Sequence, residues 1–406
     1  MAVNQNEGLA LDAPLTLLNR ATGPERCALP RPLRALAEPL TLRAAPRHSE
    51  VVPATREEGA LAFHDAELER RFAAAPIPVC TLCEAYFDQR LDISGDLGAF
   101  LRRSAERVTH GISRQHLAWA VEGLAQARRE VAGGAGLMRE LYVDRSSAFY
   151  RSFLGNGVAH SVLHLESPAE ATSDPEAARL ARALRLTEGT RLLDLGCGWA
   201  TWLGRAVREH GALATTVTLS EKRASFARRR FRALGVEERA HVLRGDLREL
   251  GPGQFDRVCC LNLTESVADK DLPRFLCEMH DRTARGGLAL LRWIGLPPAP
   301  SLPGLTWSLF FAQHVSPRAD AMPSVSVMLG ALERAGWHVE SVEDQSARYA
   351  GALRRWRANW EGDRRRVVAR HGERCYRVWR MFFAWSELVM QAGHAACYEV
   401  LSSRRG

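Results

Sequence analysis

The sequence predicts an α/β fold of the Rossmann-like type, with helices on both faces of a largely parallel sheet. Strand-like and helix-like segments alternate from residue 190 to residue 294, and a glycine-rich turn follows the first strand. Strands joined by helices in this way form right-handed βαβ units, which build parallel sheets covered on both faces. The chain has 406 residues, of which 46% are apolar, so it is long enough for one large domain and a smaller one.

Five strands and three helices are predicted in this region from apolar runs and helical spacing. The segment Thr190–Leu195 is predicted as a buried strand, and the other elements follow it at the spacing of βαβ units. The remaining strands are Ala214–Leu219, Ala240–Arg244, Phe255–Asn262 and Gly286–Ile294, and the helices are Trp199–His210, Glu221–Leu234 and Leu272–Arg282.

The regions on either side have weaker patterns. Residues 1–25 are expected to form a disordered tail, residues 26–132 an N-terminal domain, and residues 133–406 the main domain with helical elements at its C-terminal end. Gly133–Gly136 is expected to be the hinge before the main domain. Within the N-terminal domain we expect a short amphipathic stretch over Ala60–Arg71, strand-like alternation with a turn over Thr81–Leu97, and helices over Leu97–Val108 and Leu117–Ala132.

Aromatic residues are frequent on the helical segments after residue 300. An aromatic stripe at helical spacing belongs more often to a core than to a ligand pocket, so the core is favoured and a hydrophobic pocket wall is the alternative. The residues are Trp356, Trp360, Trp379, Phe382, Phe383 and Trp385.

The composition predicts a reduced, cytoplasmic protein. No uncharged apolar run reaches the length of a membrane-spanning helix, and the N-terminal residues do not have the pattern of a secretory signal. The nine cysteines are irregularly spaced, which is typical of reduced thiols. The single pair Cys80 and Cys83 is expected to be structural, because no second pair or histidine cluster completes a metal site.

The net charge of +8 comes largely from arginine. It indicates either a solvated basic face or attraction to an anionic surface, which could be phospholipid or nucleic acid. The runs Arg228–Arg230 and Arg364–Arg366 lack the interleaved aromatic and glycine residues of a single-strand RNA platform. The Asn/Asp-Pro-Pro-Tyr type of motif for base methylation is also missing, so nucleic acid is not expected as a partner.

The strongest local signal is the turn Asp194-Leu-Gly-Cys-Gly198, which follows the first predicted strand. Its two glycines allow the backbone to turn sharply and to approach a ligand closely. The pattern is D-x-G-x-G rather than G-x-G-x-x-G, because Ala200 and Thr201 occupy the region of the third glycine. The turn therefore predicts a site for the methionine part of S-adenosylmethionine more than a dinucleotide site. Two strands later, Asp246 is expected to accept a hydrogen bond from the adenine amino group, with a turn cap as the alternative.

Several separated segments resemble the cyclopropane-fatty-acyl-phospholipid synthase family, which includes the mycolic acid cyclopropane synthases. The resemblance covers roughly residues 80 to 401. It implies a class I methyltransferase fold, with a seven-stranded mixed sheet and a smaller helical N-terminal domain. The segments are Leu82-Cys-Glu-Ala-Tyr86, Leu193-Asp-Leu-Gly-Cys-Gly-Trp199, Thr218-Leu-Ser220, Asp246-Leu-Arg-Glu249, and Phe255-Asp-Arg-Val258 with Glu265-Ser-Val267.

The resemblance implies methylation of the double bond of an unsaturated phospholipid acyl chain. The alkene attacks the sulfonium methyl, and the resulting carbocation loses a proton as a cyclopropane ring closes. A bound bicarbonate is the implied base, with Glu265, Tyr349 and the backbone of Ile294 among its ligands. The implied cofactor-binding residues are Ser161, Asp194, Gly196, Cys197, Gly198, Trp199, Thr218, Ser220, Asp246, Leu247 and Asn262.

The chain departs from the family pattern at the implied bicarbonate site. Val162 replaces a cysteine and cannot donate a hydrogen bond to an anion, and Arg292 replaces a histidine. Arg292 is expected either to hold bicarbonate or to pair with Glu265 and fill the site. Ser266 and Arg223 also stand where the family has histidine and glutamine.

These departures leave several functions open. The leading one is methylation of an unsaturated phospholipid, and the alternatives are a branched or methylene product, a soluble alkene metabolite as substrate, or a binding protein with an eroded site.

The expected partner surface is an anionic membrane on the cytoplasmic side, where the enzyme would be peripheral. The resemblance also implies association of subunits as a homodimer.

Overall fold

The computed structural model describes residues 60–74, 78–104, 146–155, 175–196, 198–315 and 322–405. The predicted tail, the predicted helix Leu117–Ala132 and the hinge Gly133–Gly136 lie outside these ranges. Within them, no helix combines the length and the apolar character that crossing a membrane requires.

A seven-stranded mixed sheet forms the centre of the main domain, in the order β5-β4-β3-β6-β7-β9-β8. Strands β3 to β7 run parallel, and β9 lies antiparallel to both β7 and β8. This confirms the predicted class of fold and the five predicted strands. The strands are β3 Arg191–Leu195, β4 Leu213–Thr218, β5 Ala240–Arg244, β6 Phe255–Leu261, β7 Thr283–Gly295, β8 His338–Asp344 and β9 Ala396–Ser403.

Helices cover both faces of this sheet because neighbouring residues of each strand point to opposite sides. In β3, Leu193 packs with Phe275 in one apolar cluster, whereas Leu192 packs with Leu180 and Leu203 in another. The helices of the main domain described here are α5 Pro175–Ala183, α6 Thr201–His210, α7 Glu221–Leu234, α8 Leu272–Arg282, α9 Leu302–Phe310, α10 Val325–Arg334, α11 Ser346–Gly362, α12 Arg364–His371 and α13 Glu373–Gln391, with a π-helical turn at Phe311–Val315.

The N-terminal part forms a two-stranded antiparallel ribbon with short helices. Strand β1 Ala60–Phe63 pairs with β2 Leu91–Ser94. The helices are α1 Ala66–Ala74, α2 Val79–Phe87, α3 Leu97–Ser104 and, after residues outside the description, α4 Ser147–Leu154.

The predicted strand-like pattern over Thr81–Leu97 is wrong for its first half. Residues 79–87 form α2, and only residues 91–94 form a strand. The buried residues Val79, Leu82, Cys83 and Tyr86 recur at the three- and four-residue spacing of a helix. The two thiols of Cys80 and Cys83 lie inside this helix in the apolar core, where burial raises the pKa of both.

The aromatic residues of the C-terminal helices belong to one buried cluster that also contains α2, β2 and α4. Trp360 is fully buried, and its indole nitrogen donates to the Tyr376 carbonyl oxygen at 3.0 Å. Arg377 of α13 joins the two parts, since its guanidinium donates to the carbonyl oxygens of Tyr86 and Leu91. The structure therefore supports the core interpretation of this aromatic stripe.

Candidate cofactor and active site

The predicted glycine turn lies at the carboxyl end of β3, where open α/β sheets bind ligands. Gly196 and Gly198 have φ angles of +95° and +48°, in the left-handed region that favours glycine. A Cβ atom on Gly196 would lie 3.2 Å from the Leu263 side chain. Ala200, with φ +57°, is the N-cap residue before α6, while Cys197 lies outside the described residues. The two glycines thus present backbone rather than side chains at this end of the strand.

Among the described residues near this turn, the buried polar atoms without a hydrogen-bond partner include Trp199 Nε1, one terminal nitrogen of Arg223, and Asn262 Oδ1. The Arg223 guanidinium lies over the rings of Tyr150 and Trp199, 5.9 and 5.7 Å from their centroids. Buried polar groups are normally satisfied, so two donors and an acceptor left open here indicate a polar ligand. S-adenosylmethionine, with its carboxylate, amino and hydroxyl groups, fits this set of atoms.

Asp194 is buried at the end of β3, as the sequence predicts. Its Oδ1 accepts a hydrogen bond from the Cys259 thiol at 3.1 Å, and its backbone carbonyl oxygen accepts one from the Thr216 hydroxyl at 2.9 Å. Burial raises the pKa of Asp194 to about 6. The carboxyl group therefore titrates near neutral pH, unlike an exposed aspartate.

Three other predicted cofactor residues have local capping roles. Thr218 Oγ1 accepts from the Ser220 backbone nitrogen at 3.2 Å, and Ser220 Oγ accepts from the Arg223 backbone nitrogen at 3.3 Å as the N-cap of α7. Asp246 Oδ1 accepts from the backbone nitrogen and the Nε of Arg248, both at 3.0 Å. The turn cap, which was the alternative for Asp246, is therefore present. Its contact with adenine stays a prediction.

Two further residues of the predicted cofactor site are Leu247 and Ser161. Leu247 is fully buried in the apolar cluster that also contains Leu193. Ser161 lies outside the described residues, and so does Val162 of the implied bicarbonate site.

Glu265 lies on a short helical turn, Thr264–Ser266, directly after β6. Its Oε1 accepts hydrogen bonds from the Ile294 backbone nitrogen at 2.8 Å and from the Asn262 side-chain nitrogen at 3.2 Å. Asn262 has a φ angle of +57°, an uncommon conformation for a residue other than glycine, and its backbone nitrogen donates to the Arg292 carbonyl oxygen. Burial raises the pKa of Glu265. The structure thus brings Glu265, Ile294 and Asn262 together.

Tyr349 belongs to the same site, on the first turn of α11. Burial, together with the nearby Cys397 and Glu265, raises the pKa of its hydroxyl. Its ring lies 6.3 Å from that of Trp356, whose indole nitrogen is buried without a partner. Tyr349 therefore lies near Glu265 and packs against the aromatic cluster.

Arg292 does not pair with Glu265, which corrects one of the two placements expected for it. Its guanidinium is fully buried and contacts Glu176 Oε1 at 2.7 Å and Glu399 Oε2 at 3.0 Å. Glu399 is its direct partner across the β7–β9 ladder, and Glu176 comes from α5. Arg179 and Arg348 add further contacts to the same two carboxylates. The cation is consequently held away from the Glu265 carboxylate.

Several site residues were not found from the sequence. Cys397 lies opposite Ile294 on β9, and its thiol interacts electrostatically with both Glu265 and Arg292. Glu176 and Glu399 were missed as partners of Arg292. A glutamate inside the apolar strand sequence Cys397-Tyr-Glu-Val-Leu401 was the available signal, because such a charge is rarely buried unless it is paired.

Comparison with known proteins places these features in one family. The model of the mycolic acid cyclopropane synthetase family matches residues 137–400. A sphingolipid C9-methyltransferase of Komagataella phaffii is 28% identical over 378 residues, which cover 88% of this chain and 77% of that protein. A probable fatty acid methyltransferase of Pseudomonas putida is 25% identical over 323 residues, which cover 78% of this chain and 80% of that protein. The solved structure of a cyclopropane synthase from Mycobacterium tuberculosis shares the fold, with a TM-score of 0.59 at 20% identity, covering 64% of this chain and 94% of that one.

The substitution Gly196→Ala is expected to weaken S-adenosylmethionine binding, measured by calorimetry, at least about tenfold, or about 1.4 kcal/mol. The added methyl group strains the left-handed backbone and presses on Leu263. Gly189→Ala is the matched control, because Gly189 also has a positive φ of +77° but has no atom within 4 Å of an added Cβ. Equal affinity of the two variants would contradict this account of the turn.

The substitution Asp194→Asn is expected to stabilise the protein above about pH 6, by up to about 3 kcal/mol, and to have little effect near pH 4. The penalty for burying the charge begins to develop as the pH rises past the ordinary value of 3.8, because the unfolded chain then loses the proton, and it is complete above the raised pKa of about 6. It vanishes at lower pH, where the group is protonated in both states. Urea unfolding across this pH range measures it. Asp256→Asn is the control of opposite sign, because Arg191 lowers the pKa of Asp256. If the stability difference between Asp194→Asn and the wild-type chain did not change with pH, burial would not raise the pKa of Asp194.

Proposed function

Because the chain belongs to the mycolic acid cyclopropane synthetase family of S-adenosylmethionine-dependent methyltransferases, we propose that it methylates a carbon–carbon double bond in a lipid chain and leaves a methyl branch. The observation that carries this proposal is the buried Glu265 carboxylate, which lies close to the cofactor turn and has no cation paired with it among the described residues. An anion in this position stabilises the positive charge that develops on an alkene as it is methylated.

The chain's own groups divide into those that bind the cofactor and those that face the alkene. S-adenosylmethionine, when bound, supplies an electrophilic methyl group. The backbone of Gly196 and Gly198 and the open polar atoms of Trp199, Arg223 and Asn262 would hold it. On the other side, Tyr349 and Trp356 exclude water, and their ring faces favour a nearby cation.

Relatives of the chain support a lipid substrate over a soluble metabolite. Proteins named sphingolipid C9-methyltransferase match it over most of its length, and others are named fatty acid methyltransferase and tuberculostearic acid methyltransferase. These names describe transfer of a methyl group rather than ring closure. Cyclopropane formation on an unsaturated phospholipid is the second candidate, which the name of the family favours.

We expect the purified chain to transfer label from methyl-labelled S-adenosylmethionine to vesicles that contain either a monounsaturated phospholipid or an unsaturated sphingolipid. Both a ring and a methyl-branched alkene add one CH₂ group, but only the branched product keeps its double bond. Ozone cleavage followed by mass spectrometry separates the two, and the branched alkene is the expected product. Gly196→Ala is the negative control. A saturated three-membered ring as the main product would support the second candidate instead.

We also propose that the enzyme is peripheral, on an anionic membrane at the cytoplasmic side. Helix α12 carries the sequence Arg364-Arg-Arg-Val-Val-Ala-Arg-His371, with four arginines and no acidic residue. Arg365 and Arg370 are exposed and have no ion-pair partner within the described ranges. Arginines near an anionic lipid surface each contribute about 1 kcal/mol to binding.

The double substitution Arg365→Glu and Arg370→Glu is therefore expected to weaken sedimentation with phosphatidylglycerol vesicles by at least about tenfold, since two attractive charges become repulsive. High salt should weaken binding of the wild-type chain as well. Arg285→Glu is the matched control. Arg285 is an exposed arginine near the N-terminal end of β7, whereas the cofactor turn lies at the carboxyl end of the parallel strands. Unchanged binding of the double variant would exclude α12 as the docking surface.

A further inference from the structure

The two carboxylate oxygens of Glu265 have different surroundings. Oε1 is fixed by the Ile294 backbone nitrogen at 2.8 Å and the Asn262 amide at 3.2 Å. Oε2 is buried and has no hydrogen-bond partner among the described residues. One oxygen therefore holds the side chain in place, and the other keeps lone pairs that can accept a proton.

The described residues that interact electrostatically with Glu265 provide no positive charge to neutralise it. Cys260 of β6, Cys397 of β9 and Tyr349 of α11 interact with it electrostatically, and burial raises the pKa of each. All three are consequently neutral near pH 7. Burial among these neutral groups raises the pKa of Glu265, so its ionised form is a stronger base than an exposed carboxylate.

Within the part of the chain that the structure describes, the side chains around Glu265 do not fit a bicarbonate ion. Arg292, the cation that could hold one, is fully buried and already contacts the carboxylates of Glu176 and Glu399. A bicarbonate beside Glu265 would place a second negative charge next to an unpaired one, at a substantial energetic cost in an apolar site.

We infer that Glu265 is itself the base that completes the reaction, through its Oε2 atom and without bicarbonate. The inference rests on the proposed function. After the alkene carbon has bonded to the methyl group, the neighbouring carbon is a cation. A C–H bond on the methylated carbon breaks, its electron pair restores the double bond, and the proton passes to Oε2. The product is a methyl-branched alkene, and Glu265 releases the proton to solvent after the product leaves.

The test uses Glu265→Gln, whose amide oxygen can accept the same two hydrogen bonds from Ile294 and Asn262. We expect lipid methylation to fall at least about 100-fold, the usual contribution of a general base, with cofactor affinity by calorimetry unchanged. Because the cation then lacks its base, the residual product is expected to include a methyl-branched alcohol formed by capture of water. Glu333→Gln, which changes an exposed carboxylate of α10, is the matched control.

Bicarbonate is tested separately on the wild-type chain. Methylation is expected to proceed equally fast in buffer depleted of bicarbonate and in buffer supplemented with it, and the NMR line of ¹³C-bicarbonate should not broaden when protein is added. Activation by bicarbonate, line broadening, or wild-type activity of Glu265→Gln would overturn the inference. A wild-type chain that transfers no label to any lipid removes the proposed function as well, whereas label transfer that requires bicarbonate removes this inference alone.

Discussion

Arg292 carries its charge into the interior of the fold, where it is stabilised by two carboxylates. Glu399 meets it across the β7–β9 ladder and Glu176 meets it from α5, so the antiparallel strand and a helix are held to the parallel sheet at one point. Loss of both partners would leave an uncompensated buried charge, and breaking a buried ion pair typically costs a protein about 3 to 5 kcal/mol. Because both partners are present, the cation is not available to Glu265, and no other described cation pairs with this carboxylate.

The sequence predicts those elements of the fold whose signals lie within short segments of the chain. The five parallel strands and the glycine turn follow from apolar runs, from βαβ spacing and from the need for positive φ at Gly196 and Gly198. The pairing of Arg292 could not be predicted in this way, since its partners lie 107 and 116 residues away in the chain. Strand β8 was also missed, because this edge strand is mostly exposed and lacks the alternation of a half-buried strand.

The cofactor site shows a second limit of motif-based prediction. Ser220 and Asp246 match family positions, and the hydrogen bonds described for them here cap a helix and a short helical turn. These caps fix the loops at the ends of β4 and β5. The atoms left open belong instead to Trp199, Arg223 and Asn262, and of these the sequence marked Arg223 only as a departure from the family. A ligand gains most from groups that have no other partner, so these three side chains are the stronger binding candidates.

The segment from Asn262 to Glu265 combines two unfavourable features. A positive φ at Asn262 costs about 1 to 3 kcal/mol, and a buried oxygen without a partner costs a similar amount. A purely structural role does not explain these features. A glycine at position 262 would relieve the backbone strain, and an apolar residue at position 265 would remove the unpaired oxygen. The same segment supplies Leu263, which packs against the glycine turn. Strain and an unpaired carboxylate are thus concentrated where the cofactor turn meets the aromatic cluster, which is the distribution expected if the segment serves the reaction rather than the fold.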